Sequence, residues 1–554
     1  MHKTCKNCLA SFEIFPEDQE FYKKMKVLEP ILCSLCRMQR RLGYRKERYL
    51  FRRKCDFTGK EIISQFPVDT PFPVYGNDVW WSDAWNPLKF GRSLDFSRPF
   101  FEQFFELRDT IPRSALQQQR PMENSEYCNC ASLNKNCYLV FSTNHSEDCS
   151  YGSWVNYSKN CIDNLSIDRC ELCYECIGCK NCYNLRYCRD SYGCRDSFFL
   201  RNCTECRNCF GCSNQIHKEY MVLNEQKTKE EYEKFLKSVH TGSSREMSVA
   251  KKRIDGVLKD LIVKEFHGLS VYSSTGDYLN NCKNCFLCYE CTNSEDLRYS
   301  VCLQSSKNSM DYNYWGQNAE WIYECHACGY DVYNLRFCNL CWSGSHDLTY
   351  SDHCFSTKNC FGCVGLKREE YCILNKKYSK KEYEEIIPKI IEHMKQTGEW
   401  GEFFPVEMSP FAYNETVAQE YFPMTKEEVL QKGWKWKEEE KFDASGIMKK
   451  IPASKLPDSI TDIPDDILNC AIECEESGKR FKIQKAELEF YRKMNLPIPH
   501  FHPDIRHAHR MALRNPRKLW NRNCAKCQKE IQTTYSPERP EIVYCEECYL
   551  KEVY

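Results

Sequence analysis

The sequence lacks a long hydrophobic run, since no stretch approaches the roughly eighteen apolar residues of a membrane-spanning helix. Its first residues, MHKTCKNCLA, contain no apolar signal segment, so we expect no membrane association and a cytoplasmic location. An excess of one charge is also missing, because Lys+Arg and Asp+Glu both number 78. Electrostatic recognition would therefore depend on local clusters of charge.

Familiar catalytic motifs are absent as well. The sequence has no GxSxG, no HExxH, no Walker phosphate loop and no HxE…PCxxC deaminase pattern. Residues that converge only in the fold could still form a catalytic site, so the question of an enzyme stays open. A non-enzymatic protein is the favoured interpretation, because a zinc site closed by four protein ligands leaves no position for a substrate.

Cysteine, by contrast, is abundant, with 40 in 554 residues. In a reducing cytoplasm, cysteines are expected to be free thiols or metal ligands. The sequence also contains a repeat, in which residues 5–80 align without a gap with residues 474–549, at a constant offset of 469 and with 22 of 76 positions identical. We interpret residues 1–80 and 469–554 as copies of one module, the N-terminal and the C-terminal module.

Each module contains two CxxC pairs at the spacing of a four-thiolate zinc site. Two such pairs present four thiolates to one ion, so both modules are predicted to be zinc ribbons that bind one Zn2+ each. The alternative is a set of unligated thiols. The predicted ligands are Cys5, Cys8, Cys33 and Cys36 in the N-terminal module, and Cys524, Cys527, Cys545 and Cys548 in the C-terminal module.

The stretch PHFHPDIRHAH, residues 499–509, holds four histidines and indicates a possible third zinc site. At the offset of 469, His502 occupies the position of the zinc ligand Cys33. Together with Cys470 and Cys474 it could supply three ligands. The alternative is a packed loop that no longer needs a metal.

A row of arginines separates the two metal motifs of each module. The spacing i, i+4, i+8 and i+11 places four arginines on one face of a predicted helix. Such a row could contact the phosphates of RNA or DNA. The alternative is that the arginines are solvated or pair with acids elsewhere on the protein. The residues are Arg37, Arg41, Arg45 and Arg48, and their counterparts Arg506, Arg510, Arg514 and Arg517.

The cysteine-rich middle of the chain is a second repeat, in which NCYLV at 136–140 returns as NCFLC at 284–288, at an offset of 148. From Cys137 to Cys212 the cysteines are separated by multiples of three residues, which fits neither a helix nor a two-faced strand. We predict two β-helix-like solenoids with buried thiols, the first solenoid (123–237) and the second solenoid (272–397). The NC step recurs every 21–24 residues, the length expected for one coil of a triangular β-helix.

Buried, unligated cysteine is the expected state of the solenoid thiols. Metal storage is disfavoured because these segments are rich in Tyr, Leu and Phe, and an Fe–S cluster needs four thiolates around an isolated site. Disulfides would require export. The Asn that precedes many of the cysteines is expected to form side-chain ladders between coils.

The remaining segments are predicted to connect these units, so the fold class is mainly β. Each solenoid should end in a capping helix, since Thr228 with Glu231 and Ser379 with Glu382 fit the capping box. The connectors are a helical segment at 81–122, a helical linker at 238–271 and an irregular segment at 398–468.

Several motifs resemble those of a known family. They include KCDFTGKEIIS, VYGNDVWWSDAW, SPFAYNETVAQEYFP and the closing IVYCEECYLKEVY. With these motifs, nearly the whole chain resembles a cysteine-rich zinc-ribbon family of small-genome bacteria. The resemblance implies zinc and a cytoplasmic location but no established activity. Some members carry a CoA-transferase label, which these residues do not support, because βα alternation and a Gly-rich phosphate loop are missing.

Two hypotheses for the function follow. In the first, a zinc-binding, non-enzymatic protein binds RNA or DNA through the arginine-rich helices of its end modules. In the second, the paired solenoids are a scaffold whose flanks bind protein partners.

Overall fold

The structure is a computed structural model that describes all residues except 259–260, 318, 325–326, 330–335, 338, 341–343, 439–448 and 554. The middle of the chain forms β-solenoid structure of about 20 turns in total, and a cluster of cysteines lies near each end of the chain.

The N-terminal module alternates short strands and helices. Its elements are β1 (His2–Thr4), β2 (Ser11–Glu13), α1 (Pro16–Met25), α2 (Ser34–Leu42), β3 (Phe51–Lys54), β4 (Glu61–Ser64), β5 (Val74–Tyr75) and α3 (Asn77–Trp81). β1 with β2 and β3 with β4 form antiparallel hairpins. α1 has two acids, Glu17 and Asp18, in its first turn, where the helix dipole favours negative charge, and ends at a left-handed Lys26.

A short connector leads into the first solenoid. It contains a 3-10 turn (Pro87–Phe90), α4 (Phe100–Arg108) and β6 (Arg113–Ser114). The strands that follow are β7 (Gln118–Gln119), β8 (Asn129–Ser132), β9 (Phe141–Asn144), β10 (Ser153–Asn156), β11 (Leu165–Asp168), β12 (Tyr183–Arg186), β13 (Arg195–Phe198), β14 (Met221–Val222) and β15 (Glu225–Gln226).

Each coil of the first solenoid contains four triplets of residues. β10 and β11 pair in parallel with Ser153 opposite Leu165, and the same step recurs along the solenoid. Every third residue has a positive φ, as Asn136 does at 51°, and the next residue, here Cys137, is buried. The predicted period of three is therefore confirmed. The predicted triangular coil is wrong. The prediction gave each coil 21–24 residues, whereas a coil in the structure has 12, so the longest step between NC pairs, 24 residues, spans two coils.

Cysteine fills the interior of the first solenoid. Four buried cysteines, Cys170, Cys173, Cys176 and Cys179, follow one another at the inward positions of a single coil. The thiol of Cys179 donates to the carbonyl of Ile177 and to that of Cys188 in the next coil, both at 3.6 Å. Among the described cysteines none forms a disulfide. The thiols thus act as small buried side chains whose weak donors find backbone acceptors.

Asparagine ladders run along the outside of both solenoids. In the first, Asn136 donates to Asp148 at 3.0 Å. In the second, Asn281 donates to Asn293 at 2.9 Å. Each pair is 12 residues apart, so the bond joins neighbouring coils. The predicted ladders are confirmed at these positions.

Two helices and a strand join the solenoids: α5 (Lys229–Ser238), α6 (Ser244–Val257) and β16 (Ile262–Lys264). The second solenoid then contains β17 (Gly268–Tyr272), β18 (Gly276–Asp277), β19 (Leu279–Lys283), β20 (Cys288–Tyr289), β21 (Thr292–Arg298), β22 (Val301–Gln304), β23 (Lys307–Met310), β24 (Asn313–Gly316), β25 (Cys328–Gly329), β26 (His346–Thr349), β27 (Lys358–Phe361), β28 (Glu370–Ile373) and β29 (Lys376–Lys377). Its coils have mainly the same length as those of the first solenoid, as the pairing of Asn280 with Thr292 shows.

Both solenoids end in the same way. An antiparallel hairpin, β14–β15 or β28–β29, closes the last coil and is followed by α5 or by α7 (Lys380–Gln396). The capping boxes predicted at Thr228 and Ser379 are confirmed. The following connector contains α8 (Val417–Tyr421) and α9 (Lys426–Gln431), together with 3-10 turns at Val406–Met408, Tyr413–Glu415, Ala453–Lys455, Ile460–Asp462 and Asp465–Asn469.

The C-terminal module repeats the arrangement of the N-terminal one. Its elements, with a preceding strand, are β30 (Lys449–Pro452), β31 (Cys470–Glu473), β32 (Arg480–Phe481), α10 (Lys485–Met494), α11 (Pro503–Ala512), β33 (Trp520–Asn523), β34 (Glu530–Thr533), β35 (Ile542–Tyr544) and α12 (Glu546–Val553). α10, β33 and β34 have the bounds of α1, β3 and β4 shifted by the offset of the module repeat.

Candidate metal centres and the arginine interface

The N-terminal module brings its four predicted ligands together. Cys5 and Cys8 lie in the turn between β1 and β2, while Cys33 is the N-cap of α2 and Cys36 lies in its first turn. The four Sγ atoms lie within 4.8 Å of one another, and Cys8 and Cys33 are 3.8 Å apart. Asn7 donates a hydrogen bond to the Sγ of Cys36 at 3.3 Å. This group could hold one metal ion.

The C-terminal module also brings four cysteines together, but they belong to the second metal motif of the module and not to the first. Cys524 and Cys527 lie in the turn between β33 and β34, while Cys545 precedes α12 and Cys548 belongs to it. The four Sγ atoms again lie within 4.8 Å of one another. Burial raises the pKa of Cys524. Hydrogen bonds from backbone N–H groups, including that of Cys545, together outweigh this effect and lower the pKa to about 6. A thiolate, the form that binds metals, is therefore favoured at this position.

One hydrogen bond recurs at both groups. The backbone N–H at the third ligand position donates to the Sγ of the first cysteine, from Cys33 to Cys5 at 3.3 Å and from Cys545 to Cys524 at 3.2 Å. At the corresponding position of the N-terminal module, Gly76 donates in the same way to the lone Cys55. The same turn is thus present at Cys55, where the other three corresponding positions are not cysteine.

The residues of the possible third site do not converge on one point. Among the described residues, three or more potential ligands converge only in the two four-cysteine groups. Cys470 instead donates to the carbonyl of Asp466 at 3.4 Å, and His502 is the N-cap of α11, where its Nδ1 accepts from the N–H of Asp504 at 3.2 Å. The alternative of a packed loop without metal describes this region.

Each of the other three histidines of this stretch faces a carboxylate. The ring nitrogens lie 2.7 Å from Glu475 for His500, 3.2 Å from Glu420 for His507 and 2.8 Å from Glu476 for His509. The four histidines therefore make separate polar contacts instead of sharing one ion, and His507 is buried.

The arginines of the N-terminal module are buried against the solenoids. Arg37 and Arg41 both bind Asp311 of the second solenoid, at 2.8 Å and 2.9 Å. Arg45 donates to Ser142 of the first solenoid at 2.8 Å and also pairs with Glu47.

The C-terminal module makes the corresponding contacts, but its first two arginines bind the first solenoid and its last two bind the second. Arg506 and Arg510 both bind Asp163 of the first solenoid, the latter at 3.0 Å. Arg514 and Arg517 bind Glu290 of the second solenoid. Asp163 corresponds to Asp311, and Ser142 to Glu290, at the offset of 148 between the solenoid repeats.

These contacts correct two predictions. α2 ends at Leu42 and α11 at Ala512, so the last two arginines of each row lie beyond the helix rather than on one face of it. No more than 9% of any of the eight side chains is exposed, and each is paired with an acid. Phosphates have no access to guanidinium groups held in this way, which argues against nucleic-acid binding by these arginines and agrees with the alternative of internal pairing.

The acids that receive the arginines were not identified from the sequence. Asp163, Glu290 and Asp311 all have a positive φ, between 56° and 58°, so each occupies a left-handed position of its coil. In the period of three, these positions directly precede the buried residues. The sequence signal that could have identified them is an acid that recurs at such a position in both solenoids, as Asp163 and Asp311 do.

The fold and these sites define a cysteine-rich β-solenoid protein with two candidate metal centres. A comparison with protein-family models finds no match for the chain, and no curated protein sequence matches it either. Among the described residues, no helix has the length and apolar character needed to span a membrane.

Proposed function

We propose that the protein binds two structural Zn2+ ions, which fix the end modules against the solenoids. The observation that carries this proposal is the convergence of four thiols in each module, with all Sγ atoms within 4.8 Å. Four cysteines in a closed tetrahedral group are typical of structural zinc. The N-terminal ion would hold Cys33 and Cys36, which begin the same helix that carries Arg37 and Arg41.

Metal analysis of the purified chain tests this proposal, with two zinc ions expected per chain. Cys8→Ser and Cys527→Ser should each remove one ion, because both side chains are exposed ligands that can be replaced without opening the interior. Cys55→Ser and Cys474→Ser are matched controls at the corresponding turns without a metal group, and both should retain two ions. A wild-type chain that contains no zinc, or all four variants with equal zinc content, would contradict the proposal.

A scaffold role is the second function we propose, and the exposed surface of the first solenoid supports it. His145 and Tyr157 stack with ring centroids 4.9 Å apart, and the guanidinium of Arg169 lies 5.1 Å from the Tyr157 ring. Successive members of this group are one coil apart, so they form one row across three coils, and Tyr157 is 52% exposed. Stacked repeats give solenoid proteins extended surfaces that they use for binding.

Partner capture with the full chain distinguishes the scaffold from a nucleic-acid-binding protein. A protein partner should be lost when His145, Tyr157 and Arg169 are all changed to Ser, and retained in Tyr183→Ser, which alters an exposed tyrosine outside this row. RNA or DNA binding that weakens steeply as the salt concentration rises would instead favour the nucleic-acid hypothesis.

We also propose that both end modules are zinc ribbons and that the chain belongs to the bacterial zinc-ribbon family. Both proposals rest on the sequence motifs. Duplication of both module and solenoid is supported by the matching element bounds and by the matching contacts of Asp163 and Asp311. A cytoplasmic location is supported by the free state of the described cysteines.

A further inference from the structure

A cavity of about 200 Å³ lies where both end modules meet the first solenoid. Tyr138, Phe141 and Tyr151 of the solenoid form one wall. Phe481 and His502 of the C-terminal module form another, and Arg48 of the N-terminal module reaches in from the side. An aromatic wall of this kind suits a planar group.

The cavity also has an excess of positive charge. Arg48 shares its guanidinium between Ser153 and Asp504, each at 3.3 Å. Arg480 and Lys482 line the same cavity, and neither side chain has an ion-pair or hydrogen-bond partner within the part of the chain that the structure describes. Among the described lining residues the one acid is Asp504. Three cationic residues and one acidic residue therefore line the cavity.

This charge is specific to the module that has lost its first metal site. At the offset of 469, the N-terminal module has Ser11 where the C-terminal module has Arg480, and Glu13 where it has Lys482. It also has the predicted zinc ligand Cys33 at the position of His502. Both cations are therefore found beside the position without metal and not beside the one with four thiols.

We propose that this cavity binds a small organic anion built on a single planar ring. A cavity of about 150 Å³ holds a benzene molecule, so one of about 200 Å³ admits a ring with one phosphate or carboxylate group. The ring packs against Tyr138 and Phe141, and the anionic group binds the side chains of Arg480 and Lys482. Charge-assisted hydrogen bonds to Arg and Lys supply much of the affinity.

Isothermal titration of the zinc-loaded full chain with phenyl phosphate tests this assignment. Binding of one molecule per chain is expected, at least about tenfold tighter than that of benzyl alcohol or of inorganic phosphate, because each lacks one half of the recognised group. The double variant Arg480→Gln/Lys482→Gln should weaken binding by at least about tenfold. Lys485→Gln, whose side chain is 81% exposed and does not line the cavity, is the matched control for loss of charge and should bind as the wild type does.

Three results would overturn the proposal. They are the absence of phenyl phosphate binding, equal affinity for benzyl alcohol or inorganic phosphate, and unchanged affinity of the double variant. Both charge variants should retain the far-UV circular dichroism spectrum and the unfolding midpoint of the wild type, which shows that the modules are folded when binding is measured. The outcome is separate from the metal proposal, because none of the three cations is a metal ligand.

Discussion

Arg41 of the N-terminal module and Asp311 of the second solenoid form an ion pair of 2.9 Å, and neither side chain has any exposed surface. Arg510 of the C-terminal module makes the equivalent pair with Asp163 of the first solenoid at 3.0 Å. Through these pairs each module binds the solenoid that is further from it along the sequence. The two ends of the chain cross over the solenoid pair, and the resulting contacts depend on the whole chain being present.

Removal of one arginine from this interface should destabilise the protein strongly. We expect Arg41→Gln to lower the free energy of unfolding by about 1–3 kcal/mol, because the buried carboxylate of Asp311 loses one of its two arginine partners and keeps Arg37. Denaturant unfolding followed by circular dichroism provides the measurement. Arg52→Gln is the control, since Arg52 is exposed and its guanidinium donates to the hydroxyl of Tyr127. Equal stability of the two variants would show that the pair contributes little.

Zinc at each end should stabilise a different segment of the chain. Cys8→Ser removes a ligand of the group that includes Cys33 and Cys36, so amide hydrogen exchange in α2 should accelerate by at least about tenfold. Cys527→Ser should instead accelerate exchange in α12, which contains Cys548, and leave α2 unchanged. Mass spectrometry of peptic fragments gives both results in one experiment. Faster exchange in the same segments for both variants would contradict separate metal centres.

Local patterns in the sequence were sufficient for the metal groups and for the buried positions of the solenoids. Two CxxC pairs are a local signal, and their spacing identified all eight cysteines that the structure brings together in two groups. The period of three likewise identified the inward cysteines. The coil length was missed, because a period of three fits a coil of any number of sides. The register between coils is set by their hydrogen bonds, as between the strands of Ser153 and Leu165.

The partners of the arginines could not be predicted for a different reason. Arg41 and Asp311 are 270 residues apart, and a single sequence does not indicate which distant acid a buried arginine will meet. The row of arginines looks the same whether it faces phosphates or carboxylates. The role of His502 could not be predicted either. Its Nδ1 accepts from the N–H of Asp504 as an N-cap, and this depends on where α11 begins.

The pair of arginines on Glu290 leads to a prediction about acid stability. Burial raises the pKa of Glu290, but Arg514 and Arg517 lower it more, so the pKa is about 2. Because this value lies below the ordinary carboxyl pKa of 4.5, the stability that Glu290 contributes is present above about pH 4.5 and is lost as the pH falls toward 2. The contribution is about 3 kcal/mol at neutral pH.

Glu290→Gln should therefore lower the free energy of unfolding most at pH 7 and progressively less below pH 4.5. Denaturant unfolding of the wild type and the variant at pH 7, 4.5 and 3 gives this difference, in which any loss of zinc common to both chains cancels. Glu295→Gln is the control, because Glu295 belongs to the same solenoid but pairs with the exposed Lys283 and Lys307. A difference between wild type and Glu290→Gln that is as large at pH 3 as at pH 7 would mean that the ionised form of Glu290 does not stabilise the interface. The arginines would then have to be held by packing against the aromatic rings around them, such as Tyr421, whose ring centre lies 3.8 Å from the guanidinium of Arg517.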